Sequence, residues 1–480
     1  MSRARRRALA LAIACVLATG GLCAGASAHV GAPPPPRLVG FSALTLDPGY
    51  SAGVHDYVVR CNDGPVTVNG HASGGWRLAI ANHPFRRGKF SEVVPLSTGH
   101  AFIATAKNDS APTLYRYHVR CLPNDFPTYT FTRNGPVSPP LFSVDQGFRT
   151  PLDQRYSMIF TNHGVPIWWN HAPAWGSRLL PDGNLLWYDF GSNQFQIHRL
   201  DGSLVRTLDT VGQPINPHDL QFTGNGNYLA EANVTQSHVD TSAYGGSSDA
   251  DVANADLQEV SSDGRLLWNW RSQDHISLAE TGRWWPFTIN HSTFGYDIVH
   301  WNSIEPDGNS VIASFRNLDA VYKIRKSTGN IVWKLGGAKT PDSLIVKGDP
   351  RGYPLGAQHD ARVLPDGTLT VFDNRSNLSN RQPRALRYAI NAKKGTATLL
   401  ESITDPEVSS SNCCGSARRL GNGDWLIDWG LNRPIGGYTP DGRRTFLLSF
   451  DSDFSYRAQP VPTGAVSAQE LRQAMDAIYP

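Results

Sequence analysis

Apolar and β-branched residues in this chain come in short runs, and the runs end at Gly, Asn or Pro. The stretch His300 to Gly337, HWNSIEPDGNSVIASFRNLDAVYKIRKSTGNIVWKLGG, shows the pattern most clearly. Ser310 to Phe315, Val321 to Ile324 and Ile331 to Lys334 have the composition and length of strands, and a further strand precedes Pro306-Asp307-Gly308. Turns at that tripeptide, at Asn317-Leu318-Asp319 and at Thr328-Gly329-Asn330 join them. Four antiparallel strands in one such span predict a propeller blade.

The pattern recurs from about residue 123. One kind of turn carries Gly183, Gly226, Gly308, Gly367 or Gly423; the other carries Gly164, Gly202, Gly264, Gly329, Gly395 or Gly442, and the two kinds alternate. That counts six second hairpins and five first hairpins. Pairing Tyr156 to Thr161 with Tyr456 to Val461 supplies the missing one and closes the circle, predicting six blades over residues 123–465. Insertions at 234–256, 272–298 and 340–357 break the period and map to one rim. Val466 to Ile478 has a helical pattern, giving a C-terminal helix within 466–480. Ahead of the blades, residues 37–122 alternate short strands with Gly, Asn and Pro turns, as a small β-sandwich does. The fold class is all-β.

Composition changes the picture mainly at the N-terminus. Arg3, Arg5, Arg6 and Arg7, an apolar run Ala8 to Thr19 and the small residues Ala26-Ser27-Ala28 read as a signal peptide over 1–28. Residues 29–36, HVGAPPPP, form a stiff leader. Removing the four Arg of a segment that holds no acid turns the formal net charge of +3 into about −1. No basic footprint for nucleic acid or anionic membranes remains, and no later apolar run reaches transmembrane length. The expected location is outside the cytoplasm, secreted or periplasmic. Cys61, Cys121, Cys413 and Cys414 then suggest disulfides. A Cys61–Cys121 bridge would stabilise by roughly 4 kcal/mol on the chain-entropy account. Adjacent Cys413 and Cys414 either close a vicinal disulfide or remain two buried thiols.

The turn register exposes the candidate chemistry. Eight residues before the first-hairpin glycines stand Trp175, His218, His300, His359 and Gly415. Three of five are His, in consecutive blades, where the innermost strand begins beside the central channel. Asn302 follows His300 by two and is expected on the same strand face. Arg316 ends the neighbouring strand near the same rim, and Ser416 and Trp301 stand beside register positions. Asp219 and Asp360 are expected to turn away and anchor neighbouring blades. Three imidazoles with a guanidinium suit transfer of an anionic group: a neutral His as nucleophile, Arg on the oxygens, a second His for the proton. A plainer reading is a wet channel that tolerates polar residues. A tris-His metal site is a third, which the Arg316 cation opposes. Trp284, Trp285 and Trp301 suit either aromatic substrate contact or core packing.

NPHDLQF, DIVHWNSIEPDGNSVIASFRNLDAVYKI, TGNIVWKLGG and QHDARVLPDGTLTVFDN resemble the arylsulfate sulfotransferase family over roughly residues 125–460. The opening LVGFSALTLDPGYSAGVHDYVVRC resembles cadherin-like sandwich modules. The family resemblance implies a secreted or periplasmic six-bladed propeller. It would move a sulfuryl group from a phenolic sulfate to a phenol, without the nucleotide donor PAPS and without any cofactor or metal. It implies His359 as nucleophile, His218 and His300 in support, and Asn302 and Arg316 as sulfuryl ligands; apart from the resemblance, Trp301 and Ser416 at the same rim are expected as further substrate contacts. A homodimer is left open, as are two alternatives: a non-catalytic propeller that binds sulfated ligands, and a lyase or sulfatase using the same groups.

Overall fold

A computed structural model describes residues 37–291, 295–349, 354–432 and 434–480. The signal peptide and leader expected over 1–36 lie outside the described residues. The described chain is all-β apart from short helices.

Two sheets come first. Val39–Ser42, Val66–Ala72 and Gly88–Val94 form one; Asp56–Val59, Leu114–Cys121, Ala101–Asn108 and Trp76–Ile80 form the other. They share one core, with Val39, Phe41 and Val68 meeting Leu78, Phe102 and Tyr117. The similar ends YVVRC and YRYHVRC pair in parallel, Val59 opposite Cys121. Just beyond, Cys61 and Cys121 are bonded, with an S–S distance of 2.03 Å and a Cα–Cα separation of 5.7 Å.

Six sheets follow, each with a four-stranded antiparallel meander. Numbered from the closing sheet, the innermost strands are Gln459–Pro460, Ala174–Leu179, Ile215–Gly224, Trp301–Asp307, His359–Val363 and Ser416–Arg419. Each touches the next, and Leu141–Asp145 of sheet one returns to Ala174–Leu179, so the sheets close a ring. Sheet one is assembled from both ends of this region: Gln459–Pro460 pairs with Leu141–Asp145, then Tyr156–Thr161, then Pro166–His171. This joins chain ends through backbone hydrogen bonds and leaves no open seam.

Three departures from the period carry the rim. The insertion at 234–256 lengthens a hairpin, Asn227–Val239 against Ala250–Val260. That at 272–298 forms a helical pair, Leu278–Trp284 and Trp285–Asn290. Within 340–357, Ile345–Lys347 adds a parallel strand at the outer edge of sheet five. The helix Ala468–Ile478 is capped by Ser467 and Glu470. It lays Leu471, Ala474 and Met475 on sheet one, while its Arg472 bonds Asp56 at 2.7 and 2.8 Å. It thus ties the first two sheets to the ring.

Candidate active site

Each of the relevant inner strands carries a register shift just below its first channel residue: between Trp175 and Arg178, between Trp301 and Ser303, and between His359 and Arg362. A bulge re-aims the side chain beside it and adds twist. In this way Trp175, His218, His300 and His359 reach one cavity of about 570 Å³. The register read from the turns therefore converges in space.

All three imidazoles are held by one nitrogen. His359 Nδ1 lies 2.9 Å from the Ala357 carbonyl and 2.8 Å from Asn374 Oδ1. His218 Nδ1 lies 2.5 Å from Asn216 Oδ1, and His300 Nδ1 lies 2.5 Å from Asp297. These partners only accept, so each Nδ1 carries the proton and each Nε2 is left to the cavity side. The amide orientations are forced: Asn216 Oδ1 also accepts from the His218 N–H, and Asn374 Nδ2 donates to the Cys414 carbonyl at 3.0 Å. The His218 and His300 rings stand 5.4 Å apart, edge to face.

Burial, and then the Arg316 cation, draws His359 down to about 3; it is only 2% exposed. Burial and the neighbouring His300 draw His218 well below the usual imidazole range. Both rings are neutral at neutral pH, with a lone pair on Nε2. That of His359 accepts the Cys414 N–H at 3.2 Å. Burial acts to raise Asp297, but His300 overcomes it and keeps the carboxyl ionised. A carboxylate on Nδ1 stabilises the imidazolium of His300 whenever it forms.

Two cations line the same cavity. Arg316 follows Ser310–Phe315, its N–H bonded to the His300 carbonyl at 2.8 Å. Its guanidinium lies over Trp284 at 4.3 Å and bonds Asn317 and the Asn412 carbonyl. Burial brings it down to about 10, so it stays charged. Arg155 is the second. Its Nε bonds the Thr150 carbonyl, and its buried Nη1 has no partner. The remaining wall is apolar and largely aromatic: Phe148, Trp175, Phe190, Phe287 and Tyr456, with Cys413 and Cys414, which are bonded to each other. A cavity with aromatic walls and a polar end takes a flat ring bearing an anionic group.

Other expected residues stand elsewhere. Asn302 is fully buried and donates to the Gln358 carbonyl at 2.8 Å; it does not line the cavity. Trp301 lines a neighbouring polar cavity of about 340 Å³ with Glu231 and Asp297. Ser416 is fully buried, and its hydroxyl bonds the Ala458 carbonyl at 2.9 Å, fastening sheet six to the closing strand. The bulges explain Asn302: they break the two-residue alternation that would have put it beside His300. Trp285 packs in the core against Tyr244. Asp219 and Asp360 are buried and make ion pairs with Arg362.

Arg155, Asn374, Asn216, Asp297 and Tyr456 are site residues that the turn register does not reach. A signal exists for some. Seven residues after the turn glycines Gly226 and Gly367 stand Asn233 and Asn374; the first accepts from Asn216, the second fixes His359. Among the described residues no group of three or more His, Cys, Asp or Glu is arranged to hold a metal ion, and no helix is long and apolar enough to cross a membrane.

A family model described as arylsulfotransferase (ASST) matches residues 182–451, more than half of the chain. No curated protein matches it significantly. Among solved structures, a protein of unknown function from Bacteroides caccae is 11% identical, with a TM-score of 0.41 over 67% of this chain and 98% of that one. A catalytically inactive virginiamycin B lyase from Staphylococcus aureus with quinupristin is 10% identical, with a TM-score of 0.31 over 66% of this chain and 74% of that one. The fold rests on the strand pairing above, not on these likenesses.

Proposed function

The chain belongs to the arylsulfotransferase family, and from that premise we propose that it moves a sulfuryl group from a phenolic sulfate ester to a phenol through a sulfohistidine at His359. One observation carries this reading: a neutral imidazole, locked through Nδ1, faces an aromatic-walled cavity beside two guanidiniums. In the first half-reaction His359 Nε2 attacks sulfur. The N–S bond forms, the S–O bond to the aryl oxygen breaks, and the phenolate takes a proton from His300 Nε2, whose imidazolium Asp297 stabilises. Arg316 and Arg155 hold the sulfuryl oxygens through a charge-separated transition state. The Cys414 N–H, displaced from Nε2, is placed to donate to one of them. In the second half, His300 takes the proton of an acceptor phenol, the phenol oxygen attacks sulfur, and the S–N bond breaks. His218, neutral and 5.4 Å ring to ring from His300, packs beside the acceptor and helps orient it.

The same reading treats residues 37–122 as a sandwich domain, 123–465 as a six-bladed catalytic propeller and 466–480 as a helical clasp. It treats the protein as secreted, which the Cys61–Cys121 disulfide favours. The test is release of a chromogenic phenol from its sulfate, with and without an added phenol. Acceptor-dependent release is expected; acceptor-independent release would make the protein a sulfatase, and no release a binding protein. His359→Ala should lower the rate by about 10⁴-fold or more; a fully active variant would end the assignment.

A further inference from the structure

The inner strands run on past the histidines to the turns at the other mouth of the channel. Five residues before the same turn glycines stand Arg178, Gln221, Ser303, Arg362 and Arg418, and Gln459 stands at the matching place on the closing strand. Each lies three residues below an upper channel position, and register shifts on the strands of Arg178, Gln221 and Arg362 return those three side chains to the channel side. Arg178, Gln221, Arg362, Arg418 and Gln459, with Glu305, line a second cavity of about 450 Å³. Asp219, Asp360 and Arg457, all buried, lie between this chamber and the histidines.

The charges at this end do not balance. Arg362 is well satisfied, bonding Asp219 at 2.6 Å, Asp360 at 3.0 Å and Glu305 at 3.0 Å. Arg178 bonds the Leu220 carbonyl and has Asp219 at 3.5 Å. Arg418 bonds Asp360 at 2.8 Å and Gln459 Oε1 at 3.3 Å. Its Nε, like Gln459 Nε2, is buried with no partner. Four guanidiniums, including Arg457, thus face the carboxylates of Asp219, Asp360 and Glu305, with one cation in excess. Buried donors without acceptors are rare and costly, and clustered guanidiniums repel one another unless an anion lies among them.

We propose that this lower chamber binds a small tetrahedral oxyanion, inorganic sulfate or phosphate, with Arg418 Nε and Gln459 Nε2 donating to it and Arg178 and Arg362 as its counter-charge. The guanidinium fork matches tetrahedral oxyanions in geometry as well as charge. The ligand would screen the cations that draw on Asp219 and Asp360, the residues that directly follow His218 and His359. The site stands independently of sulfuryl transfer in the upper cavity.

Calorimetric titration of the full chain with sodium sulfate, and separately with sodium phosphate, tests it against sodium chloride at matched ionic strength. Saturable binding of one equivalent of either oxyanion is expected, with a rise in Tm that chloride does not produce. Arg316→Gln, which disables the upper cavity, should leave that binding in place. Gln459→Glu keeps the oxygen that Arg418 bonds but replaces the donor with a negative charge. It should weaken binding by at least about tenfold. Absence of saturable binding in the wild type would overturn the proposal. So would binding that Arg316→Gln abolishes and Gln459→Glu leaves intact, because the upper cavity would then be the oxyanion site.

Discussion

The upper and lower halves of the channel are lined by the same inner strands, three residues apart on each, yet they use polar side chains in opposite ways. At the upper end each imidazole lines the cavity with one nitrogen tied to an acceptor, and the other nitrogen of His359 meets only the Cys414 N–H. The cations there, Arg155 and Arg316, lie against aromatic rings and have no carboxylate bonded to them. At the lower end and the waist, carboxylates and guanidiniums bond each other across four sheets: Asp219 from sheet three, Glu305 from sheet four, Asp360 and Arg362 from sheet five, and Arg418 from sheet six. Polar groups whose bonds are complete, as those of Arg362 are, hold strands in register. Polar groups left incomplete by design of the backbone are the ones available to a substrate.

The contrast breaks most visibly if a waist carboxylate is removed. Asp360→Asn leaves Arg362, Arg418 and Arg457 short of a counter-ion in a buried place. Urea unfolding should show a loss of about 3–5 kcal/mol, while activity per folded molecule changes little. A variant with full stability and lost activity would mean that the waist takes part in the chemistry. Asp297→Asn is the upper-end counterpart. It keeps the hydrogen bond to His300 but removes the charge that stabilises the imidazolium. The kcat should fall by about 10²-fold with KM for the aryl sulfate nearly unchanged, and Tm should stay within a few degrees, since Asp297 is only partly buried. A shift in KM alone would place Asp297 in binding.

The pH dependence of stability sharpens the same point. His359 is neutral in the folded protein down to about 3, whereas in the unfolded chain it gains a proton near 6.5. Below pH 6.5 the unfolded state therefore binds more protons at this site, and stability is lost as pH falls toward 3. Buried carboxyls work against this in the whole protein: burial raises Asp145 to about 6, and raises Asp428 and Glu231 well above the usual range. The difference between wild type and His359→Asn removes them. Relative to wild type, the variant should gain up to about 1.4 kcal/mol for each pH unit below 6.5, read from chemical unfolding at pH 7, 6, 5 and 4. A flat difference would mean that His359 titrates in the fold as it does in the unfolded chain.

Much of this was legible in the sequence because the hairpin turns impose a local requirement. Gly183, Gly226, Gly308, Gly367 and Gly423 all adopt positive φ, which side chains other than glycine rarely tolerate. A residue forced by the backbone marks register, and register on a ring means convergence. That led to His218, His300 and His359, and the same count leads to the arginines at the other mouth. Positions fixed by tertiary contact left no such trace. Arg155 follows an aperiodic loop and is held by the Thr150 carbonyl. Tyr456 lies three residues before the closing strand, which shares no turn glycine with the other inner strands. Asn302 shows the opposite failure. The two-residue alternation of a strand pairs it with His300, but the register shift between Trp301 and Ser303 turns it into the wall.

Asn302 is also where the two halves meet, and it gives the smallest expected effect. Its amide donates to the Gln358 carbonyl, while its own oxygen has no partner. Gln358 is in turn pinned by bonds from its side chain to Ser314, Phe315 and Ala320. Asn302→Leu, which keeps the branching of the side chain, would remove one hydrogen bond between sheets four and five and also one unsatisfied buried oxygen. The two changes oppose each other, so the net loss should be only about 1 kcal/mol, and kcat/KM should stay within about threefold of wild type. The resemblance to arylsulfotransferases implies instead that Asn302 holds a sulfuryl oxygen. On that account the same variant would keep its stability and lose about 10²-fold in kcat. Measuring both quantities on the one variant therefore decides whether the floor of the upper cavity lies at the histidines or reaches down to the waist.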